Sequence, residues 1–187
     1  EARPHGHARA RIARVLERAI DPAVAALPWR TGSVLYNAPA NGPAAMVLAP
    51  SRHRRSALQL NEWMTTTLDD PGTGLVRDGI EHGVVRSELW TYNQGVAIGA
   101  AVALGDRPRA AAVVRAVERW CAADDGLFPA AGGGAGGLFA GLLARHLAVA
   151  ATRLDEEDAA RPPPPVRRNA AGLPAGRPGG RSAAHPP

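Results

Sequence analysis

Trp90-Thr91-Tyr92-Asn93-Gln94-Gly95-Val96-Ala97-Ile98-Gly99-Ala100-Ala101-Val102-Ala103-Leu104 is the stretch whose reading decides the fold. From Asn93 to Leu104 nearly every side chain is Gly, Ala, Val, Ile or Leu, so a helix here is buried on most sides. After the turn Gly105-Asp106-Arg107-Pro108, the segment Arg109 to Ala122 is amphipathic instead, with Val113, Val114, Val117 and Trp120 on its inward face. An apolar helix followed by an amphipathic one reads as an inner helix backed by an outer helix.

The unit recurs. Asn41-Gly42 opens one apolar helix and Asn93-Gln94-Gly95 the next, 52 residues later; Gly74-Leu75-Val76 and Gly126-Leu127-Phe128 follow the two outer helices at the same offset. The earlier outer helix is Ser56 to Leu68, with Leu60, Trp63, Met64 and Leu68 in register and Asp69-Asp70-Pro71-Gly72 ending it. Pro28 to Pro43 predicts a loop broken by Gly32, Pro39 and Gly42, with Pro43 in the first turn of a short helix over 44–49. Residues 73–89 predict a loop with short extended pieces, and Gly132 to Gly137 leads into a last helix, Leu138 to Leu154. Units of about 50 residues that cannot bury their own apolar faces must stack on neighbours. The expected fold class is therefore all-α, a partial α/α toroid of about three helical hairpins.

Three segments follow from this pattern. Residues 1–27 form an N-terminal helical segment, with Ile12, Val15, Leu16, Ala19 and Ile20 on one stripe and Asp21-Pro22 as its stop. Residues 28–160 form the toroid portion. Residues 161–187 hold eight of the chain's 17 prolines and almost no large apolar side chain, which predicts a disordered tail. The tail also carries five arginines and no acid, and so the whole net charge of +5; residues 1–160 balance 17 arginines against 17 acids. No basic face on a folded surface is indicated, which argues against nucleic acid as a partner. All 22 basic residues are Arg, a bias that a GC-rich coding sequence produces without selection for phosphate binding.

Several function classes drop out. Cys121 is the single cysteine, so no internal disulfide forms. No apolar run approaches 18 residues, so no membrane span is expected, and no signal peptide is evident, although the chain opens at Glu1. His5-Gly6-His7 lacks a third ligand nearby, so no metal site is expected. The glycine run at 132–137 follows no strand and lacks a Gly-Lys-Ser/Thr ending, so it reads as a connection and not a phosphate loop. No cofactor is implied. Ser51, Ser56 and Ser87 have no nucleophile-elbow context.

Candidate binding residues cluster where a loop meets an inner helix, the part of a toroid that faces its central cleft. Aromatic faces stack on sugar rings and amides hydrogen-bond hydroxyls, so Trp90, Tyr92, Asn93 and Gln94 suit a carbohydrate, as do Asn37, Asn41 and Trp29 at the earlier helix. The competing interpretation is a packed helix start with Asn93 or Thr91 as cap. Trp63 and Trp120 lie mid-helix on apolar stripes and are expected in the core. Asp69-Asp70 and Asp124-Asp125 are the two Asp-Asp pairs, and their places before Pro-Gly and Gly mark them as turns.

Four blocks in order resemble the family 76 glycoside hydrolases, the endo-α-1,6-mannanases. They are Asn37-Ala38-Pro39-Ala40-Asn41-Gly42-Pro43-Ala44-Ala45, Thr73-Gly74-Leu75-Val76-Arg77-Asp78-Gly79, Trp90-Thr91-Tyr92-Asn93-Gln94-Gly95-Val96 with Ile98-Gly99-Ala100, and Leu138-Phe139-Ala140-Gly141-Leu142-Leu143-Ala144-Arg145-His146-Leu147. In the last block many relatives carry Lys where this chain has Ala140. The resemblance covers about residues 28–154 and implies the C-terminal part of an (α/α)6 barrel that cleaves α-1,6-linked mannan with retention. Two adjacent aspartates would act as nucleophile and acid/base, about 5 Å apart across the scissile bond. In the family that pair precedes the block matched by Asn37 to Ala45, and no residues here match its surroundings, so the resemblance implies a chain without its catalytic acids. α-Mannan or a related oligosaccharide is the implied partner, and the open toroid edge predicts self-association. The other functions considered are a non-catalytic carbohydrate-binding or pseudoenzyme protein that pairs with a second half-toroid, and another α/α-toroid sugar enzyme.

Overall fold

A computed structural model describes residues 4–123, 128 and 136–154. The described chain runs α1 (Pro4–Ala19), β1 (Leu35–Asn37), α2 (Ala38–Leu48), α3 (Arg54–Leu68), β2 (Gly79–Glu81), β3 (Val84–Arg86), α4 (Thr91–Leu104), α5 (Arg107–Ala122) and α6 (Gly136–Ala151). The expected disordered tail at 161–187 and the Asp124-Asp125 pair lie outside the described residues.

Helices α2, α4 and α6 stand side by side, α3 backs α2, and α5 backs α4. The contact points give their direction: Gly42 lies against Val96 and Gly95 against Leu143, while Met46 and His146 meet Gly99 one turn further on. The three inner helices therefore run parallel and in register. A Cβ on Gly42 would lie 2.7 Å from the Val96 Cβ, and one on Gly95 would lie 3.0 Å from the Leu143 Cα. Glycine at these places lets neighbouring inner helices approach almost to backbone contact, a contact any side chain would force apart. The outer helices bury one stripe each: Leu60, Trp63, Met64 and Leu68 on α3, and Val113, Val114 and Val117 on α5. Trp120 is half-buried at the edge of the second cluster.

The inner helix α2 is longer than its sequence predicts. It begins at Ala38 and carries Pro39, Gly42 and Pro43 within it. Asn37 is the N-cap, accepting from the Ala40 N–H at 3.2 Å, and Pro39 falls in the first turn, where a missing N–H leaves nothing unsatisfied. The supposed breakers are thus a helix start and a packing site.

The segment at 73–89 is also more ordered than a loop. β1, β2 and β3 form a small antiparallel sheet in that order, with Tyr36 opposite Ile80 and Ile80 opposite Val85. His82 and Gly83 turn the hairpin with φ of 50° and 78°, the left-handed pair that a two-residue turn between right-twisted strands needs. A Cβ on Gly79 would fall 2.5 Å from the Tyr36 carbonyl oxygen, so this glycine lets β2 lie close on β1. The sheet holds Asp78 against the start of α2, whose Ala38 N–H donates to the Asp78 carbonyl at 3.0 Å. No described helix is long and apolar enough to cross a membrane.

Candidate functional site

The buried amides of the inner helices fall into two kinds. Asn41 and Gln94 each grip the backbone of an extended segment far away in sequence. Asn41 accepts from the Leu27 N–H at 2.8 Å and donates to the Leu27 and Asn37 carbonyls at 2.9 Å. Gln94 accepts from the Val76 N–H at 2.8 Å and donates to the Val76 carbonyl at 2.8 Å and the Trp90 carbonyl at 3.1 Å. Both side chains are fully buried and their hydrogen-bonding capacity is spent on the chain itself. Gln94, and not Asn93, is thus the partner of Asn41 in the repeat, and each is followed by its packing glycine, Gly42 or Gly95.

Asn93 is of the second kind. Its Nδ2 donates to the Asp78 Oδ1 at 3.3 Å, and the Tyr92 hydroxyl donates to the same oxygen at 3.1 Å. Asn93 is fully buried, yet its Oδ1 has no partner, and neither has the buried Thr91 Oγ1. Buried acceptors without donors are uncommon and are stabilised by a donor arriving from outside, a hydroxyl or a water. The expected cap at Asn93 or Thr91 does not form; Trp90 is the N-cap residue of α4 and makes no side-chain cap bond. Asp78 is itself 9% exposed. Burial above all, then the charge of Asp78 and the hydrogen bond to it, hold the Tyr92 phenol well above its ordinary pKa, so it stays a donor.

Tyr92 also belongs to a group of three aromatic rings. Trp90 and Tyr92 lie nearly parallel (8° between planes) with centroids 6.4 Å apart, and Phe139 of α6 tilts against Tyr92 at 4.3 Å. Beside Tyr92 a cleft of about 420 Å³ opens between the three inner helices, lined chiefly by Pro39, Pro43, Met46, Val96, Leu142 and His146. Burial and the neighbouring Arg145 lower the His146 pKa, which favours the neutral imidazole. Aromatic faces beside hydroxyl-binding groups are the makings of a sugar site.

Of the other sequence-predicted residues, Asn37 lies beside Asp78 across the β1–β2 pair, with the Ala38 N–H on the Asp78 carbonyl. Asn37 caps α2 and is 5% exposed. Trp29 is 53% exposed on the loop before β1, its N–H donating to the Leu35 carbonyl. Asp69 is held by both N–H arms of the buried Arg109, and Asp70 accepts from the turn N–H groups of Gly72 and Thr73 and from Arg77. Both carboxylates are thus engaged in closing the end of α3. Asp78 and Phe139 were not singled out by sequence. Asp78-Gly79 reads as one more turn, and Phe139 as one more apolar residue of a helix; only their place inside the family-like blocks marked them. Among the described residues no group of three or more His, Cys, Asp or Glu side chains could hold a metal.

No protein-family model matches the chain, and no curated protein does. Solved structures do. The GH76A α-1,6-mannanase from Salegentibacter sp. HEL1_6 superposes with a TM-score of 0.66 at 27% identity, over 76% of this chain and 49% of the mannanase. An inactive variant of that enzyme, with two neighbouring aspartates changed to alanine and α-1,6-mannotetrose bound, gives 0.67 at 27% identity, over 78% of this chain and 50% of that one. A Listeria innocua protein gives 0.61 at 25% identity, over 73% and 46%. The chain therefore resembles the family 76 glycoside hydrolases in fold and in sequence, spans about half the length of these structures, and has the helical arrangement of part of an α/α toroid.

Proposed function

We propose that this chain forms part of the sugar-binding wall of a family 76-like, α-1,6-mannan-directed toroid, and that its own described residues supply no catalytic acid pair. The observation that carries the reading is the Asp78–Tyr92–Asn93 cluster. It carries unpartnered buried acceptors at Asn93 Oδ1 and Thr91 Oγ1, and its Tyr92 packs with the rings of Trp90 and Phe139. The likeness to a structure solved with α-1,6-mannotetrose supports mannan as the sugar. Trp90, Tyr92 and Asn93 are the residues proposed to meet it; Gln94 positions the helix start that carries them, Asn41 and Asn37 hold the neighbouring start of α2, and Trp29 offers an exposed ring. The bonds of Asp69 to Arg109 and of Asp70 to the turn amides and Arg77 support reading this pair as a turn and not as a catalytic dyad.

Titration of the full chain with α-1,6-mannotetrose, followed by tryptophan fluorescence, tests the reading. Saturable binding is expected, weakened about tenfold or more by Asn93→Ala, the loss expected for one buried hydrogen bond to a hydroxyl, and unchanged by Asp70→Asn. Absence of saturable binding refutes it, and mannan hydrolysis by the chain alone refutes the statement about the acids.

The second reading is a non-catalytic binding protein in which two half-toroids pair. It is favoured by the apolar cleft between α2, α4 and α6 and by Gly141, which meets nothing within 4 Å although Gly42 and Gly95 each press on a next inner helix. Leu138 on the same helix is 67% exposed. A concentration-dependent dimer in sedimentation equilibrium would support it; a monomer throughout would dismiss it.

A further inference from the structure

A second cavity, of about 410 Å³, lies between α1 and the α2–α3 turn and shares no residue with the site described above. Three arginines, Arg9 and Arg14 from α1 and Arg52 from the turn, line it together with His53, and among the described residues no carboxylate does. Arg9 and Arg14 project from an exposed face of α1 and make no ion pair or hydrogen bond among the described residues. Arg52 donates through Nε to His53 Nε2 at 3.3 Å, which leaves its terminal nitrogens unused. Glu17 lies at the other nitrogen of the imidazole, its Oε2 3.5 Å from His53 Nδ1. Ala10, Ala13 and Pro50 supply the apolar part of the lining.

Codon bias accounts for arginine in place of lysine, but not for three arginines without a described ion pair on the lining of one cavity, with the one neighbouring carboxylate, Glu17, beyond His53. Like charges gathered in this way repel one another, and an anion shared between them removes the repulsion. Guanidinium forks match the tetrahedral oxyanion of a phosphate bidentately. The cavity is larger than phosphate alone requires and lies in the size range of small-molecule sites. We propose that it binds a phosphate monoester, with the phosphoryl group among Arg9, Arg14 and Arg52 and a small polar body over Ala10 and Pro50. The phosphate site is independent of the mannan reading; the choice of a mannose ester as probe rests on it.

Calorimetric titration of the full chain at low ionic strength, in a phosphate-free buffer at pH 7, tests it with inorganic phosphate, mannose 6-phosphate and mannose as probes. Saturable binding of phosphate and tighter binding of mannose 6-phosphate are expected, with none for mannose at the same concentrations. Arg14→Gln and Arg52→Gln should each weaken binding about tenfold, the loss of one charge-assisted hydrogen bond. Arg18→Gln, the same charge change on α1 outside the cavity, should leave it within about twofold. Far-UV circular dichroism confirms that each variant is folded. No saturable phosphate binding, or an equal loss in Arg18→Gln, overturns the site; mannose 6-phosphate no tighter than inorganic phosphate overturns the ester.

Discussion

Replacing Gln94 with leucine removes three hydrogen bonds without opening a large void. The Val76 N–H and carbonyl, both bonded only through this amide at a residue that is fully buried, lose their partners. A stranded buried backbone group costs about 1–3 kcal/mol. The Trp90 carbonyl loses less, since the Asn93 N–H also reaches it at 3.2 Å. Burying an apolar side chain in place of the amide returns about 1–2 kcal/mol. The net loss is about 2–4 kcal/mol, a large share of the stability of a domain this size. Urea unfolding followed by circular dichroism reads the loss, and hydrogen exchange at the Val76 amide localises it. Gln94→Glu sharpens the test, because the new carboxylate can still accept from the Val76 N–H but faces the Val76 and Trp90 carbonyls where the amide donated. Its folded pKa must rise, so its stability deficit is smallest below the ordinary glutamate value of about 4.3 and grows as pH rises through the folded pKa. A Gln94→Leu variant within about 0.5 kcal/mol of the parent, with the Val76 amide still protected, would refute the clamp.

Gly95→Ala should destabilise by about 1–3 kcal/mol in the same urea assay, because its Cβ would press on the Leu143 backbone of α6. Gly141→Ala should be neutral or stabilising by up to about 1 kcal/mol, because nothing lies within 4 Å of that position; equal losses at both would refute the close approach of α4 and α6. Tyr92→Phe should flatten the alkaline limb of the stability profile. The Tyr92 pKa is raised by burial and Asp78, so its contribution is intact below the ordinary tyrosine value of about 10 and is lost as pH rises beyond it. An unchanged limb in thermal melts between about pH 9 and 11 would count against the buried phenol.

What could be read from sequence was decided by the range of the interactions concerned. The stripes of α3 and α5 and the all-round apolar α4 follow from 3.6-residue periodicity and agree with the structure to within two residues at most ends. The start of α2 was misread because Pro39, Gly42 and Pro43 weigh as breakers in any local scale. Their tolerance depends on the Asn37 cap and on Val96 pressing from the next helix, neither of which a local window sees. The hairpin of β2 and β3 lacked an apolar alternation, since Val84 and Val85 are both exposed, and its turn begins with a non-glycine residue at positive φ. In the site, Trp90, Tyr92 and Asn93 were legible as residue types at a helix start. Asp78 was not, because its meaning comes from two donors 14 and 15 residues away.

The repeat found in sequence is, physically, a clamp followed by a contact. An amide on the inner helix grips an extended segment that precedes it by 14 or 18 residues, and the next residue, a glycine, admits the neighbouring inner helix. Neither half explains itself alone. Without the clamp, the extended segment would leave a buried N–H and carbonyl unpaired; without the glycine, the clamped helix could not approach its neighbour. In α6 the corresponding residues are Ala140 and Gly141: no amide stands at the first, and a Cβ at the second would meet no described atom within 4 Å. Unlike α2 and α4, α6 therefore has neither the clamp nor a described helix pressed on that glycine. With alanine in place of the clamp, α6 is held by its packing on α4, through Leu143 at Gly95, His146 at Gly99 and Phe139 at Tyr92.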